Sequence, residues 1–179
     1  GDDKNWGNPG PDYRADVPLI YDPYSDTWRA VVTFLKAGNM KIRQNNEWNV
    51  NYGDKTLDGI LDTENDNNIP VTAGNYLVIV DFKDLSYTIE ETDIWGVVGG
   101  AYNNWGNPGP GYRPDYPFTP DFGKEGVYYI ESITFIDGAI KFRTNNDWAV
   151  AYGDKTGDGI LDTEGGNDIQ VTAGTYSIT

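Results

Sequence analysis

The chain contains no cysteine and no histidine. Disulfide scaffolds, thiolate zinc sites, cysteine nucleophiles and imidazole acid–base chemistry are therefore excluded. Positive charge is scarce: 13 Lys and Arg stand against 28 Asp and Glu, a net charge of −15 over 179 residues. Such a surface repels DNA, RNA and other polyanions. No run approaches the roughly 20 apolar residues of a membrane-spanning helix. No secretory leader is visible; a targeting segment is expected to have been removed ahead of Gly1.

Aromatic residues are abundant, with 6 Trp and 13 Tyr. Two small cores have no need of so many, so some are expected at the surface. The most informative feature is an internal repeat. Trp6-Gly7-Asn8-Pro9-Gly10-Pro11 returns 99 residues later as Trp105-Gly106-Asn107-Pro108-Gly109-Pro110. Asn45-Asn46-Glu47-Trp48 returns 100 residues later as Asn145-Asn146-Asp147-Trp148, and Tyr52 to Glu64 returns as Tyr152 to Glu164 with only Leu57 changed, to Gly157. A period of this length exceeds the roughly 20–50 residues of a solenoid repeat and matches a small domain. Two modules are expected, residues 1–92 and 93–179, joined by a short linker at Glu91-Thr92-Asp93.

Helical periodicity is nearly absent. Short alternating or β-branched runs lie between clusters of Gly, Pro, Asn and Asp, the pattern of an all-β protein. Strands are expected near 28–35, 39–44, 67–71, 75–81 and 85–90, and near 94–98, 128–136, 139–144, 168–171 and 174–179. Asp137-Gly138 reads as a hairpin turn. Module one has no counterpart of Ile94 to Gly99, and module two none of the hairpin Val78 to Glu90. The reading is that the chain is trimmed, with pairing of exposed edges by another copy as the alternative.

Four patterns could carry chemistry. Trp6 and Trp105 sit in Gly-, Pro- and Asn-rich loops, while Trp48 and Trp148 follow Asn-Asn-acidic, with Tyr52 and Tyr152 four residues on. Exposed aromatic rings cover the apolar face of a sugar, and amides and charged groups satisfy its hydroxyls. Capping of the core is the competing role of these rings. Lys41 and Arg43, like Lys141 and Arg143, alternate with apolar Met40/Ile42 and Ile140/Phe142, which places both cations on the outer face of a strand. They are expected to form a hydrogen-bonding wall beside the Asn-Asn-Trp segment, or an ordinary solvated face. Asp54, Asp58 and Asp62, and Asp154, Asp158 and Asp162, have the spacing of an EF-hand-like Ca²⁺ loop, but Asn65 and Gly165 replace its closing Glu. A plain Asp/Gly turn is the alternative. Nothing places a carboxylate pair across a cleft, as glycoside hydrolysis requires, so no enzyme is expected.

In the order Ile94-Trp95-Gly96-Val97-Val98-Gly99, a loop Trp, Ile140-Lys141-Phe142, Asn145-Asn146-Asp147-Trp148, Tyr152-Gly153-Asp154 and Ala173-Gly174-Thr175-Tyr176, the chain resembles the SusE/SusF-type surface lipoproteins of Bacteroidetes starch-utilisation systems. The resemblance covers nearly the whole chain as two copies of that family's repeating domain. It implies two tandem immunoglobulin-like antiparallel β-sandwich domains that bind glycans without cleaving them. It implies a lipid-anchored outer-membrane location beside a SusC/SusD-type transporter, and sugar contact by Trp6, Trp105, Lys41, Lys141 and a second aromatic. The Pro-rich loops and the Asp-Gly-Ile-Leu-Asp segments depart from the starch-binding members.

The expected function is thus non-catalytic polysaccharide binding. The alternatives are an assembly protein whose aromatic loops dock a protein partner, and a calcium-binding adhesive module.

Overall fold

The computed structural model describes residues 1–10, 15–63, 67–111, 113–163 and 168–179. The chain divides into two compact units, Gly1–Thr92 and Asp93–Thr179. The described residues contain no α-helix; both units are built from antiparallel strands with short 3-10 segments at Asp2–Gly7 and Asn104–Gly106.

In the first unit the strands are β1 (Ile20–Asp22), β2 (Thr27–Phe34), β3 (Gly38–Met40), β4 (Ile42–Arg43), β5 (Asn51–Tyr52), β6 (Ile69–Val71), β7 (Gly74–Asp81) and β8 (Ser86–Glu91). One layer is the sheet β1-β2-β7-β8. Its register sets Ala30 opposite Val78, Val32 opposite Tyr76 and Ile89 opposite Val78. Alternation along each strand therefore brings one apolar set to one face. The second layer consists of the ladders β3-β6 and β4-β5. Met40, Ile42 and Ile69 from this layer, with Leu61 from the loop after β5, pack against Phe34, Tyr76, Val78 and Val80 of the first. Val80 is fully buried, and burial of a side chain of that size stabilises by about 1.5–3 kcal/mol.

In the second unit the strands are β9 (Trp95–Gly99), β10 (Tyr116–Pro117), β11 (Thr119–Pro120), β12 (Tyr128–Phe135), β13 (Gly138–Thr144), β14 (Ala151–Tyr152), β15 (Ile169–Val171) and β16 (Gly174–Ile178). One sheet is β10-β9-β13-β14, with β15 also on β13, and the facing sheet is β11-β12-β16. Val97, Ile140, Ile130, Ile133, Phe135 and Phe118 fill the space between them. This is the two-layer antiparallel sandwich expected of an all-β chain. The segment 138–144 is one strand paired with β9, β14 and β15, whereas residues 38–43 of the first unit break into β3 and β4 at Lys41.

The expected hairpin at Asp137-Gly138 is corrected. β12 and β13 belong to different sheets, as do β2 and β3. The chain crosses from one layer to the other there, and Asp137 Oδ1 accepts from the Ala173 amide at 2.7 Å. Alternation reports which face of a strand is buried. It does not report whether the next strand lies beside it or across the core.

Candidate functional site

The two aromatic loops and the two Asn-Asn-Trp segments meet. Trp6 and Trp48 lie with ring centroids 6.1 Å apart and planes inclined by 44°. Trp105 and Trp148 repeat the arrangement at 6.1 Å and 39°. Trp48 and Trp148 are 43% and 50% exposed, while Trp6 and Trp105 are half-buried. The tryptophans of the Asn-Asn segments therefore present most of the open surface, and those of the Gly-Pro loops stand beside them as a wall.

The local backbone explains the placement of the wall. Asn5, Trp6 and Gly7 have φ of 47°, 56° and 67°, and Asn104, Trp105 and Gly106 have 51°, 60° and 65°. Three successive left-handed residues form a tight reversed turn, closed by the Asn8 amide on the Asn5 carbonyl at 3.1 Å and by Asn107 on Asn104 at 3.2 Å. A tryptophan in this region costs about 1–2 kcal/mol. Retained strain of this kind gathers at functional positions. The glycine is required by its neighbour: a Cβ on Gly7 would stand 2.2 Å from Arg43 Nη2, and one on Gly106 2.5 Å from Arg143 Nη2.

Those arginines support the platforms. Arg43 Cζ lies 4.5 Å from the centre of the Trp48 ring, and Arg143 Cζ lies 4.3 Å from that of Trp148. The guanidinium over the ring face is attracted by the aromatic quadrupole. Arg43 donates from Nε and Nη2 to Asp16 at 2.6 and 3.0 Å, and Arg143 donates to Asp115 at 2.6 and 2.9 Å. The aspartates are anchored in turn. The Asp16 amide donates to Asn46 Oδ1 at 2.9 Å, and the Asp115 amide to Asn146 Oδ1 at 2.8 Å. Asn45, Asn46, Asn145 and Asn146 all take left-handed φ, which asparagine tolerates better than most residues. The repeated Asn-Asn thus turns the chain toward the tryptophan and holds the loop that supplies the aspartate.

This changes the role of the cations. The arginines do not form an outer wall of available donors: their side chains are only 6% and 4% exposed. Lys41 donates to Asn51 Oδ1 at 3.1 Å and to Asn67 Oδ1. Lys141 pairs with Asp168 at 3.5 Å. The outward alternation is correct, since Met40, Ile42 and Ile140 are buried, but loops fold over the outer face and engage all four cations.

Tyr52 and Tyr152 are not in the tryptophan clusters. Tyr52 is opposite Ile42 in the β4-β5 register and Tyr152 is opposite Phe142, which puts both tyrosines on the apolar side of their strands. Tyr52 packs on Phe82 at 5.8 Å and Tyr152 on Trp95 at 5.4 Å. Their spacing from Trp48 and Trp148 suggests proximity, but the intervening turn places them on the opposite face.

The acidic loops are organised as turns. Asp54 is buried and accepts from the Leu57 and Gly59 amides at 2.6 and 2.9 Å and from the Tyr87 hydroxyl at 3.0 Å. Burial acts to raise its pKa, but these hydrogen bonds outweigh it and hold the carboxyl below its ordinary range. Asp154 accepts from Gly157 and Gly159 at 2.6 and 2.9 Å, and those amide bonds hold it low too. Asp58 accepts from Ile60, Asp62 from Lys55 and Asp162 from Lys155. Asp158 accepts from Ile160. Among the described residues no group of three or more acidic side chains is arranged to hold a metal ion. Asn65 and Gly165, where a closing Ca²⁺ ligand was considered, lie outside the described residues. In both loops the carboxylates cap the backbone of a tight turn.

Asp16 and Asp115 were not singled out from the sequence. A signal existed: Asp115 follows Asp16 at the same 99-residue offset as the tryptophan loops, while Asp12 becomes Gly111.

No protein-family model matches the chain, and no curated protein matches it. Among solved structures, the chain is similar to SusF from Bacteroides thetaiotaomicron, with 21% sequence identity and a TM-score of 0.36 over 89% of this chain and 41% of that one. The chain thus spans well under half the length of that protein. No helix among the described residues is long and apolar enough to cross a membrane.

Proposed function

We propose that this chain is a non-catalytic polysaccharide-binding protein with one aromatic platform in each unit, formed by Trp48 with Trp6 and by Trp148 with Trp105. The supporting observation is the duplication of an unusual geometry. Two tilted indoles, one roughly half exposed, are held in place by an arginine–aspartate pair in both copies. A large exposed ring fixed from behind offers stacking surface at little cost in side-chain ordering. The exposed amides of Asn5 and Asn8, and of Asn104 and Asn107, flank the rings in sequence and supply donors and acceptors for hydroxyls. The acidic surface points to a neutral glycan rather than a polyanionic one. By the sequence resemblance, the setting is a lipid-anchored protein of a bacterial outer membrane beside a SusC/SusD-type transporter, with starch-like glycan as ligand.

The test is retention on insoluble and soluble polysaccharides by affinity electrophoresis. Trp48→Ala and Trp148→Ala should each weaken retention, and the double variant should nearly abolish it while the melting temperature changes little. Two weak sites on one chain act together through effective concentration, so the double variant should lose more than either single one. Full retention by the double variant would remove the platform assignment.

One observation favours the alternative of a protein-docking role. Tyr21, Trp28 and Phe82 form an exposed aromatic row in the first unit, with centroid spacings of 5.4 and 6.3 Å. Exposed aromatic patches also mark protein interfaces. On that reading Trp28→Ala, rather than Trp48→Ala with Trp148→Ala, would reduce association with a SusC/SusD-type pair.

A further inference from the structure

The two platforms are not chemically equivalent, and the difference lies beside the wall tryptophan. In the first unit Trp6 Nε1 donates to Asp2 Oδ1 at 2.8 Å. Asp2 is fixed there by the Asn39 amide and side chain, at 2.8 and 3.1 Å to its Oδ2. The second unit has one residue more in this turn, so that Gly100 and Ala101 stand where the first unit has Asp2 alone: Gly38 packs on Asp2 and Gly138 on Ala101. Gly1 and Gly99 take the same place in the two units: a Cβ on Gly1 would meet Asn39 O at 2.3 Å and Met40 Cα at 2.9 Å, and one on Gly99 would meet Ala139 O at 2.2 Å and Ile140 Cα at 2.6 Å. The Gly1 carbonyl accepts from the Lys4 and Trp6 amides, and the Gly99 carbonyl from the Tyr102 and Asn103 amides, in the turn that leads to each tryptophan. The next residue is Asp2 in one unit and Gly100 in the other. A Cβ on Gly100 would stand 3.3 Å from Trp105 Nε1, so a side chain at this position is directed at the indole N–H. Gly100 itself is exposed and carries no acceptor. None of the described residues accepts from Trp105 Nε1, and no buried side-chain nitrogen or oxygen lacks a partner. The Trp105 N–H therefore faces solvent.

We propose that the second platform uses this N–H as a ligand-directed donor, taking an acceptor oxygen at the edge of a neutral pyranose stacked on Trp148, and that Asp2 occupies the same position in the first platform. This inference rests on the glycan-binding reading. An indole N–H is a donor only, so it can bond either a protein carboxylate or a sugar oxygen. Asp2 satisfies it in the first unit and adds a fixed negative charge. Gly100 leaves it open in the second. The second unit is accordingly the tighter site and the one that distinguishes the orientation of ring oxygens and hydroxyls. The first unit binds by stacking with fewer directed bonds.

The experiment uses the full chain with Trp48→Ala to isolate the second platform and with Trp148→Ala to isolate the first. Maltoheptaose, cellohexaose and xylohexaose are titrated by calorimetry, and the indole resonances are followed by ¹H–¹⁵N spectra assigned through single Trp→Phe variants. In the Trp48→Ala background the tightest of the three sugars should shift the Trp105 indole resonance saturably. Adding Gly100→Asp should weaken binding roughly threefold to tenfold, the worth of one hydrogen bond, whereas Gly100→Ala, whose methyl stands 3.3 Å from Trp105 Nε1 but accepts no hydrogen bond, should weaken it clearly less. If sugar binds at both platforms but Gly100→Asp and Gly100→Ala behave alike, the inference is overturned while the glycan reading stands. If none of the sugars binds either platform, both fall together.

Discussion

The most demanding consequence of the site geometry concerns Asp115. Its carboxylate accepts from Arg143 Nε at 2.6 Å, Arg143 Nη2 at 2.9 Å and Asn103 Nδ2 at 3.1 Å. Both members of the ion pair are 4% exposed at the side chain. Asp115→Ala would leave the guanidinium buried without a counter-charge and Asn103 without that acceptor. Breaking a buried pair from one side costs about 3–5 kcal/mol. The stability of a small domain is roughly 5–15 kcal/mol, so this one change removes a large share of it. For a unit of this size each kcal/mol shifts the midpoint by about 4–8 °C, which makes the expected fall roughly 12–40 °C. The equivalent pair in the first unit is less buried, with Asp16 30% exposed at its side chain. Water can replace much of the lost solvation there, and Asp16→Ala should cost about 1–2 kcal/mol. Scanning calorimetry of the two variants reads both numbers. The pairing of Asp115→Leu with Arg143→Met should restore much of the loss, because a well-packed apolar pair can match a buried ion pair. Equal losses for Asp16→Ala and Asp115→Ala, or a loss under about 1 kcal/mol for the latter, would refute the argument from burial.

Gly106→Ala should destabilise the second unit by about 1–2 kcal/mol, since φ is 65° and the new methyl meets Arg143 Nη2; an unchanged denaturation midpoint would show that the turn does not require glycine. Asp54 has its folded pKa below the unfolded value near 4, so its contribution is present above that value and is lost as pH falls through the lower folded value; Asp54→Asn should lower stability at neutral pH and flatten the acid limb of the pH–stability curve. Melting curves in EGTA and in excess Ca²⁺ should coincide, because amide and hydroxyl donors already occupy the Asp54 and Asp154 carboxylates; a rise in Ca²⁺ would restore the metal reading, since a ligand that binds only the folded state stabilises it.

Periodicity and repetition by themselves determined the fold class. Strands near 28–35, 75–81, 128–136 and 139–144 appear as β2, β7, β12 and β13, within a residue or two. The reason is local: a strand with one buried face writes its alternation into consecutive residues, as Tyr76, Val78 and Val80 do. The short ladders β1, β5, β10, β11 and β14 were not legible, because two or three residues carry no period and are held by partners distant in the chain. The importance of the Trp-Gly and Asn-Asn-Trp segments was likewise visible in their repetition. Tertiary structure alone decided what those residues do. It brought Trp6 to Trp48 and Trp105 to Trp148 across about 40 residues of chain. It sent Tyr52 and Tyr152 to the opposite face, and it turned Arg43 and Arg143 from exposed cations into buried struts on Asp16 and Asp115. Composition shows that an arginine is present; whether its five donors face water, a ligand or a carboxylate depends on which loop folds over it. That choice is made by contacts 27 and 28 residues apart in sequence, beyond the reach of any local pattern.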